Sequence, residues 1–305
     1  MQEISISKMI RDLRKEKNLS QDELADGICA TSTLSQIENG SRIPNRQTIN
    51  KLMERLGEPG FSYADLYSEQ VLRRIRLQQE SILAIEQGDE VRLDRRLHDL
   101  AENLAQDDLA GRQLYIYLEL ICQQMHGDIR VETPHFEDQC RKALALRKGT
   151  DERLKKGRPV DKAERLILNA LALSRGLMGD HARAIELLDR LDESVSMYES
   201  NLWERGKGLC CILNNKAILF MKKGEYEEAV NCIQTALALS YDSGGIRMTI
   251  ELMRTRAAIY FTMGELVKYH EDFVMIGNLC HILPRGESPV DRGQTLEEPG
   301  GILIF

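Results

Sequence analysis

The sequence predicts an all-α protein, a small bundle of short helices followed by a solenoid of paired helices. Three observations carry this reading. Aromatic residues make up only 5% of the chain and it has 7 prolines. Its apolar residues recur at three- and four-residue spacings rather than alternating, which is the helical period. Five times an apolar-periodic stretch ends in Gly followed by an acid and a second such stretch begins, at Gly88-Asp89, Gly127-Asp128, Gly179-Asp180, Gly224-Glu225 and Gly264-Glu265. Gly permits the left-handed stop of one helix, and the acid suits the positive end of the next.

In the first bundle, residues 4–17 make a helix with Ile6, Met9, Ile10 and Leu13 inward. Ser20 with Glu23 three residues later is a capping box, and Leu24, Ala25 and Ile28 then share one face of a short helix. After a break at Cys29-Ala30, Leu34 and Ile37 mark the inner face of a second, closed by Asn39-Gly40 as a left-handed stop. Ala25 is small where the two axes meet, so the pair reads as a helix-turn-helix. Thr31, Ser32, Thr33, Ser35 and Gln36 point outward, side chains that can bond to base edges and phosphates. Asn45 opens a fourth helix with Ile49, Leu52, Met53 and Leu56 inward. Gly57-Glu58-Pro59-Gly60 breaks it, giving domains of 1–60, 61–283 and 284–305.

Leu19-Ser20-Gln21-x-x-Leu24-Ala25, Leu34-Ser35-Gln36-Ile37-Glu38-Asn39-Gly40 and Arg42-x-Pro44 resemble the XRE-type helix-turn-helix of phage repressors, over roughly the first 57 residues. The usual turn there carries Gly and a β-branched residue, whereas Ile28-Cys29-Ala30-Thr31-Ser32 reads as one residue shorter. That Ile-Cys turn is similar to the DNA-binding members of the RRNPP family, cytoplasmic receptors for signalling peptides. The resemblance implies that Thr31, Ser32 and Gln36 face base edges, while Gln21, Asn39 and Arg42 hold phosphates. It further implies a homodimer on a palindromic operator in double-stranded DNA and an imported short linear peptide as effector.

In the second domain the Gly-acid turns lie 39, 52, 45 and 40 residues apart, longer than the roughly 34 of an ideal tetratricopeptide repeat. Seven residues before each Gly stand Ser81, Leu120, Ala172, Ala217 and Ala257, small in four cases of five, where paired helices must approach. The run from Ala217 to Ala229, with Ile233 and Ala236, is similar to the tetratricopeptide consensus. Stacked repeats leave a concave face lined by the first helix of each pair. Ten residues before each Gly stand Gln78, Tyr117, Asn169, Asn214 and Arg254, all able to hydrogen-bond. Six before stand Ile82, Ile121, Leu173, Ile218 and Ala258, all apolar. A polar ladder beside an apolar stripe suits an extended peptide. In the RRNPP family, asparagines on such helices hold the peptide backbone, and Asn169 and Asn214 match them by register. A docked protein partner, with no peptide pheromone, suits acidic repeats equally well and is the alternative.

Other function classes find little support. The six histidines show no metal-ligand spacing, no Gly loop cradles a phosphate, and Gly206-Lys207-Gly208 lacks the strand and spacing for one. We therefore expect no enzyme, no metal and no cofactor. The seven cysteines contain no Cys-x-x-Cys pair and read as reduced thiols; Cys210-Cys211 and Trp203 read as packing residues. Met1 to Ser5 lack the basic and apolar regions of a secretion signal, and no stretch is apolar for the roughly 18 residues that span a bilayer. A cytoplasmic protein without a membrane partner is expected. Net charge is −7, with nine basic and eight acidic residues in 1–57, so the acidic balance lies in the remainder of the chain. DNA binding must then come from local placement of cations. The tail from Pro284 to Phe305 reads as flexible, with an apolar tip at Ile302-Leu303-Ile304-Phe305 that either docks on its own body or its dimer partner or is a disordered end with no role.

Overall fold

The computed structural model describes residues 6–39, 42, 46–57, 69–105, 108–157, 159–199, 202–243 and 245–283. Among these all regular structure is helical. The chain divides into two compact units, Met1–Arg76 and Leu77–Phe305, and the division falls within a helix, α5 (Glu69–Gln87). The tail from residue 284, the side chain of Trp203 and the Asn45 cap fall outside the described residues.

The first unit holds α1 (Ile6–Glu16), α2 (Gln21–Ala25), α3 (Thr31–Glu38) and α4 (Arg46–Arg55). Ile10, Leu24, Ala25, Leu34, Ile37, Ile49, Leu52, Met53 and Leu56 form its buried core. Each large side chain so buried stabilises by about 1.5–3 kcal/mol. The capping box forms as the sequence predicts: Glu23 N–H donates to Ser20 Oγ at 3.1 Å, and Ser20 N–H donates to Glu23 Oε2 at 2.7 Å. Arg55 on α4 donates to the carbonyls of Glu23, Leu24 and Asp26, which satisfies acceptors left free where α2 ends.

Two local expectations change. α2 stops at Ala25, so Ile28 is not helical; it lies in the turn, half-buried against the core. Gly27 takes φ +66° there, a left-handed geometry that costs glycine nothing. Gly27 is followed by the β-branched Ile28, and the turn occupies residues 26–30 between α2 and α3. Asn39, at the end of α3, has φ −96° and is not in the left-handed region.

The second unit is built of five helix pairs: α5 with α6 (Glu90–Glu102), α7 (Leu109–Met125) with α8 (Pro134–Ala145), α10 (Lys162–Leu177) with α11 (His181–Tyr198), α12 (Leu202–Lys223) with α13 (Tyr226–Ser243), and α14 (Gly245–Met263) with α15 (Leu266–Cys280). All five turn glycines have positive φ, between +63° and +106°. At the close-approach positions Ser81, Ala172, Ala217 and Ala257 are fully buried and Leu120 is 3% exposed. The buried Ser81 hydroxyl is satisfied by donating to Leu77 O at 2.8 Å. The long 52-residue interval contains an extra short helix, α9 (Thr150–Lys155), between α8 and α10.

One acid does not begin its helix. After Asp128 the chain carries Ile129 and Val131 into the core, both 7% exposed, before α8 starts. Thr133 caps α8, its Oγ accepting from Phe136 N–H at 3.2 Å, and Pro134 occupies the first turn.

Candidate functional site

In the first unit, the chemistry begins with a buried ion pair that the motif reading overlooked. Glu38 sits on the inner face of α3 and its side chain is 3% exposed. Arg14 of α1 grips it with two donors, Nε to Oε1 at 2.6 Å and Nη2 to Oε2 at 2.8 Å, and gives a third to Leu19 O at 2.8 Å. Gln21 Nε2 adds a bond to Glu38 Oε2 at 2.8 Å. Burial pushes the Glu38 carboxyl up, but the Arg14 and Gln21 hydrogen bonds and the charges of Arg14 and Arg11 outweigh it and hold the group below its ordinary range. The sequence signal was there: a carboxylate next to Ile37 on an apolar face needs an internal cation.

This network fixes α1, α2 and α3 and leaves the outer face of α3 to solvent. Ser32 and Gln36, one turn apart, are exposed, as are Asn39 and Arg42. Arg42 Nη1 lies 3.5 Å from Thr33 Oγ1. Two expected DNA contacts are engaged within the protein instead. Gln21 spends its amide on Glu38, and Thr31 donates its hydroxyl to Asp22 at 2.5 Å. Gln21 keeps a second amide N–H and its carbonyl oxygen, and Thr31 keeps its hydroxyl lone pairs, for further contacts.

In the second unit, the ladder residues stand in register on α5, α7, α10, α12 and α14, facing inward. Gln78 is half-buried, while Tyr117, Asn169, Asn214 and Arg254 are 3% exposed or less. Asn214 Oδ1 accepts from Thr255 Oγ1 of α14 at 2.8 Å, and Arg254 Nη1 donates to Glu251 at 2.8 Å. The Asn214 amide nitrogen, the Asn169 amide oxygen and the Tyr117 hydroxyl have no hydrogen-bond partner among the described residues. Asn215, which the register argument skipped, is fully buried with both amide atoms unpartnered. Each such group costs about 1–3 kcal/mol unsatisfied, so this inner face is polar, desolvated and short of partners.

The same face is drawn together by contacts between distant repeats. Arg247 of α14 donates to Glu86 O of α5 at 3.3 Å, and Lys207 Nζ of α12 lies 3.5 Å from Glu86 Oε1. Burial pushes the Glu86 carboxyl up, against the pull of Lys207. The first helix of the solenoid thus meets the fourth and fifth pairs.

A separate cavity of about 880 Å³ opens among α8, α9, α10 and α11, lined by Arg141, Arg147, Lys155, Arg175, Arg183 and Arg190 among others. It takes in none of the five ladder residues. The seven cysteines are free. Burial pushes the Cys210 thiol up to about 12 and raises Cys211 as well, which keeps both protonated and inert.

Comparison with known proteins matches residues 10–60 to the helix-turn-helix family and residues 212–246 to the tetratricopeptide repeat family. The transcriptional repressor RstR of the cryptic phage CTXphi, from Vibrio cholerae, is 41% identical over 54 residues, 17% of this chain and 49% of the repressor. The chain thus spans about half the length of that relative. PlcR of Bacillus thuringiensis, solved in complex with the peptide PapR7 and DNA, superposes with a TM-score of 0.59 over 91% of this chain and 95% of its own, at 17% identity. Apo ComR of Streptococcus vestibularis gives 0.51 over 94% and 96%, also at 17% identity. ComR of S. thermophilus, in complex with DNA and its signalling peptide ComS, gives 0.50 over 95% and 98% at 15% identity. At these identities the likeness is one of fold. It covers more than nine-tenths of this chain. Among the described residues no helix is long and apolar enough to cross a membrane.

Proposed function

We propose that this chain, a helix-turn-helix unit joined to a tetratricopeptide-type body with the fold of PlcR and ComR, is a cytoplasmic transcription regulator of the RRNPP type. It binds operator DNA through α3 and is controlled by a short linear peptide held on the inner face of the repeats. The observation that carries this reading is the shared fold over more than nine-tenths of both chains with PlcR, a protein solved with peptide and DNA together. The repressor-like sequence of the first unit supports the DNA half. The partner-poor Asn169, Asn214 and Tyr117 support the peptide half, because a peptide backbone supplies the donors and acceptors that the closed face lacks. The chemistry required is recognition, with no catalytic step.

A single helix-turn-helix reads few base pairs, so the regulator acts as a homodimer on a palindromic operator with half-sites about 10 bp or a multiple apart. Ser32 and Gln36 approach the base edges, and Asn39 and Arg42 the phosphates. Gln36 can pair with adenine through two hydrogen bonds, so Gln36→Ala costs about 1–3 kcal/mol and relaxes one base position. Arg42→Ala weakens all sequences alike and reduces the salt slope by about one. Binding-site selection on random duplexes followed by salt titration checks both. Equal loss at every base position in the Gln36 variant would remove it from the readout set.

A further inference from the structure

The helix-turn-helix and the repeat face leave one cluster of metal-ligating side chains without a role. Glu90 and Asp94 lie four residues apart on α6, and Cys122 and His126 lie four apart at the end of α7. Spacing of four places each pair on one face of its helix, and the two faces meet. Cys122 Sγ donates to Asp94 Oδ1 at 3.1 Å. His126 Nε2 lies 3.6 Å from Asp94 Oδ2 and 3.8 Å from Glu90 Oε2. Ligand atoms of Asp94, Cys122 and His126 all fall within 4.8 Å of one another.

From this geometry we infer a binding site for a borderline-soft divalent ion, Zn²⁺ foremost, held by Asp94, Cys122 and His126 with Glu90 in reach as a fourth ligand. A tetrahedral ion with bonds of about 2.0–2.3 Å needs its ligands about 3.3–3.8 Å apart. Cys122 Sγ at 3.1 Å from Asp94 Oδ1 and His126 Nε2 at 3.6 Å from Asp94 Oδ2 lie near that requirement, and with all three ligand atoms within 4.8 Å of one another, side-chain rotation can close them on one ion. One sulfur and one imidazole with carboxylates match Zn²⁺ and Co²⁺, while Mg²⁺ and Ca²⁺ take oxygen ligands alone. Asp94, His126 and Glu90 lie towards solvent and give the ion a path, whereas the sulfur is buried beneath them.

The step balances simply. In the metal-free protein the thiol keeps its proton and donates it to Asp94 Oδ1 at 3.1 Å. Zn²⁺ replaces that proton at sulfur and the proton leaves to solvent; no oxidant or reductant is involved. The bound ion ties α6 to α7 across the junction of the first two pairs. It does so one turn and a half from Tyr117, so it also fixes the helix carrying a ladder residue. The sequence reading missed the site because neither helix holds a metal motif alone; the packing of α6 on α7 assembles it.

The test uses the full-length homogeneous protein with Co²⁺ and then Zn²⁺ as probes. Wild type is expected to bind one Co²⁺ per chain with a thiolate-to-cobalt charge-transfer band, which Zn²⁺ then abolishes by displacement. Cys122→Ser should lose the band, and its Zn²⁺ affinity should fall by more than the roughly 10–100-fold that follows loss of an outer-shell partner. His126→Asn changes an exposed side chain and keeps the measurement valid should the serine variant fold poorly; it should weaken Zn²⁺ comparably. Cys232→Ser should bind as wild type does. Absence of the band in wild type, or its survival in Cys122→Ser, would overturn the assignment.

Discussion

Glu38→Gln is expected to destabilise the helix-turn-helix unit by about 3 kcal/mol. Removing one partner of a buried ion pair costs about 3–5 kcal/mol, because the remaining charge is left without compensation. Arg14 is 12% exposed and keeps Leu19 O as an acceptor, which places the effect at the low end. The loss falls on contacts joining α1, α2 and α3, so amide hydrogen exchange in these helices should accelerate while the repeat unit exchanges as before. Exchange rates unchanged from wild type would show that the pair contributes little. The same pair sets a pH dependence. Since folding lowers the Glu38 pKa, its stabilisation is complete above the unfolded carboxylate range and is lost as pH falls through the folded value. Acid should loosen the first unit of the wild type, and this component should be absent from Glu38→Gln.

The double variant Asn169→Ala/Asn214→Ala is expected to lose about 2–6 kcal/mol of peptide affinity, from about 1–3 kcal/mol for each amide. The residues sit on different helices, α10 and α12, so the effects should approximately add. Asn214 also accepts from Thr255, and some loss of fold stability follows from that bond. Two readouts separate the roles. DNA affinity without peptide should remain at the wild-type value, and only peptide titration should shift. Wild-type peptide affinity in the double variant would move the binding site away from the ladder, with the basic cavity among α8, α9, α10 and α11 the next place to look.

Much of this architecture was legible because it rests on local chemistry. The Ser20–Glu23 capping box and the five turn glycines are short-range signals and fold as their residues dictate, whereas after Asp128 the next helix waits until Pro134. What the sequence hid depends on tertiary packing. Glu38 reads as one letter of a motif until Arg14, 24 residues away, is brought against it. Gln21 and Thr31 look available for DNA, yet their nearest acceptors are within the protein. Register located the ladder but not its burial, since nothing local announces that Glu86 will meet Lys207 and Arg247. Helix ends were misplaced where one residue overrides periodicity, as Gly27 does by ending α2 before Ile28.

In the proposed function, a peptide on the repeats changes DNA binding by the first unit. Fluorescence anisotropy of the full-length protein on its selected operator, with and without short synthetic peptides encoded beside its gene, tests it most directly. Coupling between two sites of this kind is typically about 1–3 kcal/mol. One such peptide should therefore shift operator affinity by about 5–150-fold, and the Asn169→Ala/Asn214→Ala variant should need far more peptide for the same shift. Identical operator isotherms for the wild type with and without every peptide, in a protein that binds DNA normally, would contradict the claim and favour a body that docks a protein partner.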